Sequence, residues 1–341
     1  MEKSVTLEAG GKIRAFPSIQ AAVDASGEGA LIRIGPGEYR EKIFIDKPNI
    51  RLEGAGRDLS FIRWDDAGEK PWRIRPRGQA GETGPSWAAE PWALRPGSTS
   101  TFRSWTAFFG GPGFSASGLT IENDAGRGPG IGQAIAAYVD SPDARFSDCA
   151  FLGHQDTLFL GPLPPEPRIP GSFVGPGEDR PRGRKVHAFE DCLVAGDVDF
   201  IFGSAEALFL RCEIRSLRLG PGEAGYLSAA SSPEGAGRGF VFSGCELSGE
   251  AEEGSVFLGR PWRPFAQAAF LGCRMGPHIA PAGFSDWEGG AERDMVRYVE
   301  GGSTGPGAAD GRRSPWARIL SGAGLGAFAA SALDAFTARR P

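Results

Sequence analysis

Phe189-Glu-Asp-Cys192-Leu-Val-Ala-Gly196-Asp-Val-Asp199-Phe-Ile-Phe-Gly203 is the stretch that decides the fold of this 341-residue chain. Its first four residues are one copy of a phrase, Phe-x-x-Cys. The phrase recurs as Phe146-Ser-Asp-Cys149, Phe209-Leu-Arg-Cys212, Phe242-Ser-Gly-Cys245 and Phe270-Leu-Gly-Cys273, and it accounts for all five cysteines. The intervals between cysteines run from 20 to 43 residues. A constant strand phrase at varying intervals, punctuated by Gly and Pro, marks a solenoid whose loops differ in length while its coils keep register. Stacked strands lie about 4.8 Å apart. Asp156 stands seven residues beyond Cys149 and Asp199 seven beyond Cys192, so stacking the repeats stacks two carboxylates.

The repeat favours one elongated domain over residues 1–341, turn-rich and all-β, in keeping with 52 Gly, 27 Pro and 40% apolar residues. A net charge of −5 without a basic run argues against a nucleic-acid partner. There is no 18-residue apolar run and no apolar leader after Met1, so neither a membrane span nor a classical export signal is expected. The expected location is cytoplasmic, the alternatives being a non-classical route outward or a leader not in the sequence. The chain is expected to act as a monomer. An odd cysteine count, with every cysteine in the same inward-looking setting, suggests small buried hydrophobes, with a Cys192–Cys212 bridge left open. No Cys-x-x-Cys occurs and the three histidines are scattered, so neither a metal nor a cofactor is expected.

Pro17 and Ser18 start a short helix over residues 17–26 that plugs one end of the solenoid. Short β-rich segments then run from Leu31 to about Leu271. Two long loops interrupt them, residues 66–100 with Trp72, Trp87 and Trp92, and residues 161–183, mostly Gly, Pro and charge. The tryptophans suit either sugar faces or packing against the wall. Residues 314–341 read as helix laid along the stack.

Around the two aspartates stand Gln133-Ala-Ile-Ala, Gly153-His-Gln-Asp156-Thr-Leu, Gly196-Asp-Val-Asp199-Phe-Ile-Phe-Gly203 and Leu258-Gly-Arg260-Pro-Trp262. In this order, flanked by Leu119-Thr-Ile-Glu-Asn123, Gly283-Phe-Ser-Asp-Trp287 and Gly302-Ser-Thr-Gly-Pro-Gly307, they resemble the pectin methylesterase family over roughly residues 13–320. The resemblance implies a right-handed parallel β-helix with an open cleft. It also implies hydrolysis of galacturonosyl methyl esters in homogalacturonan or oligogalacturonides to methanol and a free carboxylate.

By the same resemblance Asp199 is the nucleophile, Asp156 the general acid and later base, Gln133 and Gln155 the oxyanion donors, and Arg260 the partner of Asp199. Trp262 is a platform for a sugar ring, while Phe202 and Val198 shape the site around it. Elementary chemistry agrees, since ester hydrolysis needs a nucleophile, a proton for the alkoxide and neutral donors for the oxyanion. Two close carboxylates do not both ionise easily, and a fixed guanidinium decides which one does. His154 reads as a neighbour of the substrate or a bystander. The competing readings are an acyl-ester or thioester hydrolase on this scaffold, a β-helix glycosidase or lyase, and a carbohydrate-binding solenoid without catalysis.

Overall fold

The computed structural model describes residues 3–73, 85–287, 293–308 and 310–337. It is a parallel β-helix of three sheets with twelve, eight and seven strands, each regular coil adding one strand to each sheet. The register matches like with like: Phe146, Phe189, Phe209, Phe242 and Phe270 are direct partners on successive strands. Their rings stack at 4.9, 4.7, 4.8 and 4.5 Å between centroids and within 11° of parallel, an aromatic column down the core.

The phrase is a corner. Phe ends an inward-facing strand, the third residue turns the chain, and Cys starts the next wall. That third residue is left-handed in every copy, with φ of 49° at Asp148, 54° at Asp191, 53° at Arg211, 61° at Gly244 and 60° at Gly272. Asp and Gly tolerate this conformation, which is why they recur there. All five cysteines are buried and free. Cys212, Cys245 and Cys273 point their thiols at the carbonyls of Phe189, Phe209 and Phe242 on the preceding coil, at 3.3–3.5 Å.

The strands do not stop near Leu271. Arg297–Gly301 and Arg318–Leu320 extend the twelve-stranded sheet. Glu300 pairs in register with Phe270 and takes the phenylalanine's place, with its carboxylate buried against Arg313 at 2.7 Å. Gly302 has φ 67° and Ser303 stands where cysteine would, so Glu300-Gly-Gly-Ser303 is a further copy of the corner written in polar residues.

One end is closed by an antiparallel hairpin, Val5–Ala9 with Lys12–Phe16, and by the helix Ile19–Ala25. Ser18 caps this helix through Ala21 N–H, and the Glu41 carboxylate takes the first-turn N–H groups of Ile19 and Gln20 at 3.0 Å each. The C-terminal helix, Gly322–Thr337, is shorter than the span expected, because residues 318–320 join the sheet. Its apolar side packs on Val299, Ala269, Val241, Leu208 and Val186, one from each of five successive strands. The helix is long enough, since sixteen residues rise about 24 Å and the four spacings between five strands span about 19 Å.

The tryptophans of the first long loop pack on the wall. Trp87 and Trp92 are buried with Trp105, Phe44 and Phe108 on the outer face of the seven-stranded sheet. The loop contains the short helices Ser86–Ala89 and Pro91–Leu94, and residues 74–84 of it lie outside the described residues.

Candidate active site

The candidate site residues lie along one row, at or near the seven-stranded sheet, tied coil to coil by backbone hydrogen bonds. Ala134 N–H donates to Gln155 O at 3.1 Å, Asp156 N–H to Val198 O at 3.0 Å, Tyr226 N–H to Asp197 O at 3.1 Å, Arg260 N–H to Ser228 O at 3.0 Å and Trp262 N–H to Ala230 O at 2.9 Å. Leu158 pairs with Ile201, so the register carries Asp156 to Asp199 on the neighbouring coil.

Both aspartates are bent out of the strand. Asp156 has φ 65° and Asp199 φ 50°, a left-handed conformation that Asp tolerates better than most residues. At Asp199 the register against the next strand slips: Val198 faces Tyr226 while Ile201 faces Ser228, so the segment of Asp199 carries one extra residue. The resulting bulge turns both Phe200 and Ile201 into the core and leaves Asp199 and Phe202 on the outer side.

Arg260 grips Asp199 bidentately, Nε to Oδ1 at 2.9 Å and Nη2 to Oδ2 at 2.6 Å. The guanidinium is itself held between two aromatic rings, 3.8 Å from the Tyr226 centroid and 4.1 Å from that of Trp287. Such a sandwich fixes the plane of the fork and desolvates the cation, which strengthens its grip on the carboxylate. Asp156 has no such bond among the described residues. Burial first, and then the negative charge of Asp199, push its carboxyl well above the usual carboxylate range. Burial raises Asp199 as well, but the Arg260 hydrogen bonds and charge pull it back. The pair therefore holds its first proton on Asp156. Asp156 is 8% and Asp199 5% exposed, dry enough for these charges to act strongly on one another.

Gln133 and Gln155 are half-buried beside the pair, and their side-chain amides make no hydrogen bond among the described residues, leaving both N–H groups available. Trp262 is half-buried and meets Phe202 edge-on at 5.8 Å. Phe202 is almost wholly covered, and Val198 is half-buried beside Asp199. His154 faces away from a triad role: its Nδ1 lies 2.9 Å from Asp197 Oδ2, and Arg127 approaches the same oxygen at 3.4 Å.

Sequence reasoning missed Tyr226, Trp287, Asp197 and Arg127. Trp287 stood in a motif already noted as a flank, without a role. Asp197 had a signal in lying two residues before Asp199, as His154 lies two before Asp156. Tyr226 and Arg127 carried none, because only the stacking of coils brings them here.

The sequence model of the pectinesterase family matches residues 93–161 and 184–333, and the long loop falls between the two matched stretches. Probable pectinesterase 8 of Arabidopsis thaliana is 30% identical over 321 residues, covering 90% of this chain and 68% of the relative. Pectinesterase 31 of the same plant is 28% identical, covering 89% and 84%. Among solved structures, a pectin methylesterase from carrot superposes with a TM-score of 0.70 at 25% identity, over 96% of this chain and 93% of that one. A pectin methylesterase variant in complex with a hexasaccharide superposes with the same score and identity over 96% of both chains.

Proposed function

The chain belongs to the pectinesterase family and is an ester hydrolase that demethylates pectin; from this premise we propose that Asp199 is its nucleophile and Asp156 its proton donor and acceptor. The observation that carries the assignment is the asymmetry of the pair, one carboxylate clamped by Arg260 and the other left to hold the proton.

Asp199 attacks the ester carbonyl carbon as a carboxylate. Negative charge develops on the carbonyl oxygen, where the amides of Gln133 and Gln155 supply neutral donors. A lysine there would compete for Asp199; an amide does not. As the C–O bond breaks, Asp156 gives its proton to the departing methoxide and methanol leaves. The galacturonosyl group is then joined to Asp199 as an anhydride. Asp156, now a base, takes a proton from water, the water oxygen attacks the galacturonosyl carbonyl, and Asp199 departs as carboxylate with Asp156 protonated again. Trp262 gives a flat apolar face for a sugar ring, with Phe202 behind it, and Val198 stands next to the reacting ester.

Methylated pectin is the test substrate. Methanol release without new reducing ends and without the ultraviolet absorbance of an unsaturated product is the expected result. Reducing ends formed at the rate of methanol would give the glycosidase reading precedence, and faster cleavage of acyl thioesters than of pectin would favour the other hydrolase.

A further inference from the structure

Outward-facing rings on consecutive strands of the seven-stranded sheet form a second aromatic ladder. Phe108, Tyr138, Phe159 and Phe202 are partners in register, 5.1, 4.5 and 4.9 Å apart. Left open, such a row beside the aspartates is a platform for several consecutive sugar rings. In this protein it is dry: the first three rings are 0% exposed and Phe202 is 3% exposed.

The cover comes from the short helix Thr101–Arg103, which follows the first long loop, and from the second long loop. Phe102 lies against Tyr138, Phe159 and Phe202 at 6.1, 5.2 and 6.3 Å. Phe173 of the second loop locks Phe102 from the side at 5.3 Å, and Ser100 Oγ donates to Val174 O at 3.1 Å. The second loop leaves the coil of Asp156 and also reaches the opposite way. Its tip meets Trp262, which hydrogen-bonds to a strand two coils on from that of Leu158–Leu160. There Arg168 Nη2 donates to Trp262 O at 2.8 Å and its guanidinium lies 5.1 Å from the Trp287 ring, while Arg263 Nη2 donates to Glu166 O at 3.2 Å. Trp287 is the ring that also holds Arg260, so the tip closes directly beside the catalytic clamp.

We propose that these two segments restrict the enzyme to short chains: the roof of Phe102 and Phe173 on one side, and the Arg168 tip on the other, leave room around Asp156, Asp199 and Trp262 for methyl-esterified oligogalacturonides of a few sugars and exclude the interior of long pectin chains. The proposal rests on the esterase reading above and adds the form of the substrate. Phe102 and Arg168 are the specificity-determining residues.

The experiment measures kcat/KM per methyl ester on fully methyl-esterified oligogalacturonides from dimer to octamer, and on highly methylated pectin, with the full chain. The expected profile levels off by the tetramer, with pectin about tenfold poorer per ester. A profile that climbs through the octamer, or pectin equal to the octamer, overturns the restriction while leaving the esterase reading intact. No methanol from any of these substrates overturns the esterase reading itself. In a folded R168A/R263A double variant, freeing the tip should raise the ratio of pectin to trimer activity several-fold. An unchanged ratio removes the tip from the proposal. Phe102→Leu keeps an apolar residue in the roof but leaves it thinner, and should shift the same ratio in the same direction if it folds.

Discussion

Asp156 and Asp199 hold the same register position on neighbouring coils, yet only Asp199 is bonded to Arg260. The repeat makes the two carboxylates equivalent in place. One arginine, clamped between Tyr226 and Trp287, makes them unequal in charge.

Removing the clamp should move the acid side of the pH–rate profile. With Arg260→Ala, Asp199 keeps its burial but loses the charge and hydrogen bonds that oppose it, so its pKa rises. An opposite charge at this range is worth about 1–3 pH units. The acid limb of kcat/KM should shift upward by that order, with activity falling severely at neutral pH. Arg260→Lys keeps the charge but loses the fork, and should fall between the two. An acid limb that stays in place in Arg260→Ala would mean that Arg260 does not set the charge of Asp199.

Stability should show the cost of Asp156. Its folded pKa is raised, so between the ordinary carboxylate value and that raised value the folded state binds more protons than the unfolded one. Stability therefore falls as pH rises through this window. Asp156→Asn has no charge to bury and should melt at a higher temperature than the parent at neutral pH. The difference should shrink as pH drops toward the ordinary carboxylate range. Melting curves across pH settle it; a variant less stable at neutral pH contradicts the raised value.

Each glutamine should matter for kcat more than for KM. On the proposed assignment Gln133→Ala and Gln155→Ala each remove a neutral donor to the developing oxyanion, worth about 10²–10³ in kcat from comparable donors. Steady-state kinetics on methylated oligomers test this. A rise in KM with kcat unchanged would make them ground-state binding residues.

The cysteine column should titrate as five thiols in denaturant without reductant, since all five are buried and free. Its aromatic neighbour carries more stability. Phe209 stacks on Phe189 and Phe242 at 4.7 and 4.8 Å, and Phe209→Ala should cost about 3–5 kcal/mol, read from denaturant unfolding. A loss within about 0.5 kcal/mol would mean the column is not part of the cooperative core.

The Phe-x-x-Cys corner was legible in the sequence because it repeats the same three demands: an inward ring, a left-handed residue and a small inward thiol. The copy at Glu300 was not, because a buried ion pair with Arg313 fills the phenylalanine's place and no hydrophobic pattern betrays it. Asp156 and Asp199 were found by equal offsets from a cysteine, which is a local signal. Tyr226 and Trp287 meet Arg260 only through the stacking of coils, and nothing in their own neighbourhoods announces it. The loop tryptophans illustrate the same limit: composition left sugar contact and wall packing open, and the burial of Trp87 and Trp92 against Phe44 and Trp105 is set by a fold-level contact.

Whether Asp199 attacks while Asp156 moves the proton is read from a pre-steady-state burst with an activated galacturonate ester whose leaving group needs no protonation. Circular dichroism first confirms that Asp199→Asn and Asp156→Asn are folded. Asp199→Asn should show no burst, because the nucleophile is gone. Asp156→Asn should be badly impaired on methyl esters yet recover a burst with the activated ester, by about the 10²–10⁴-fold that general acid assistance is worth. A burst from Asp199→Asn with none from Asp156→Asn would reverse the roles, and equal bursts from both would mean that neither carboxylate is the nucleophile.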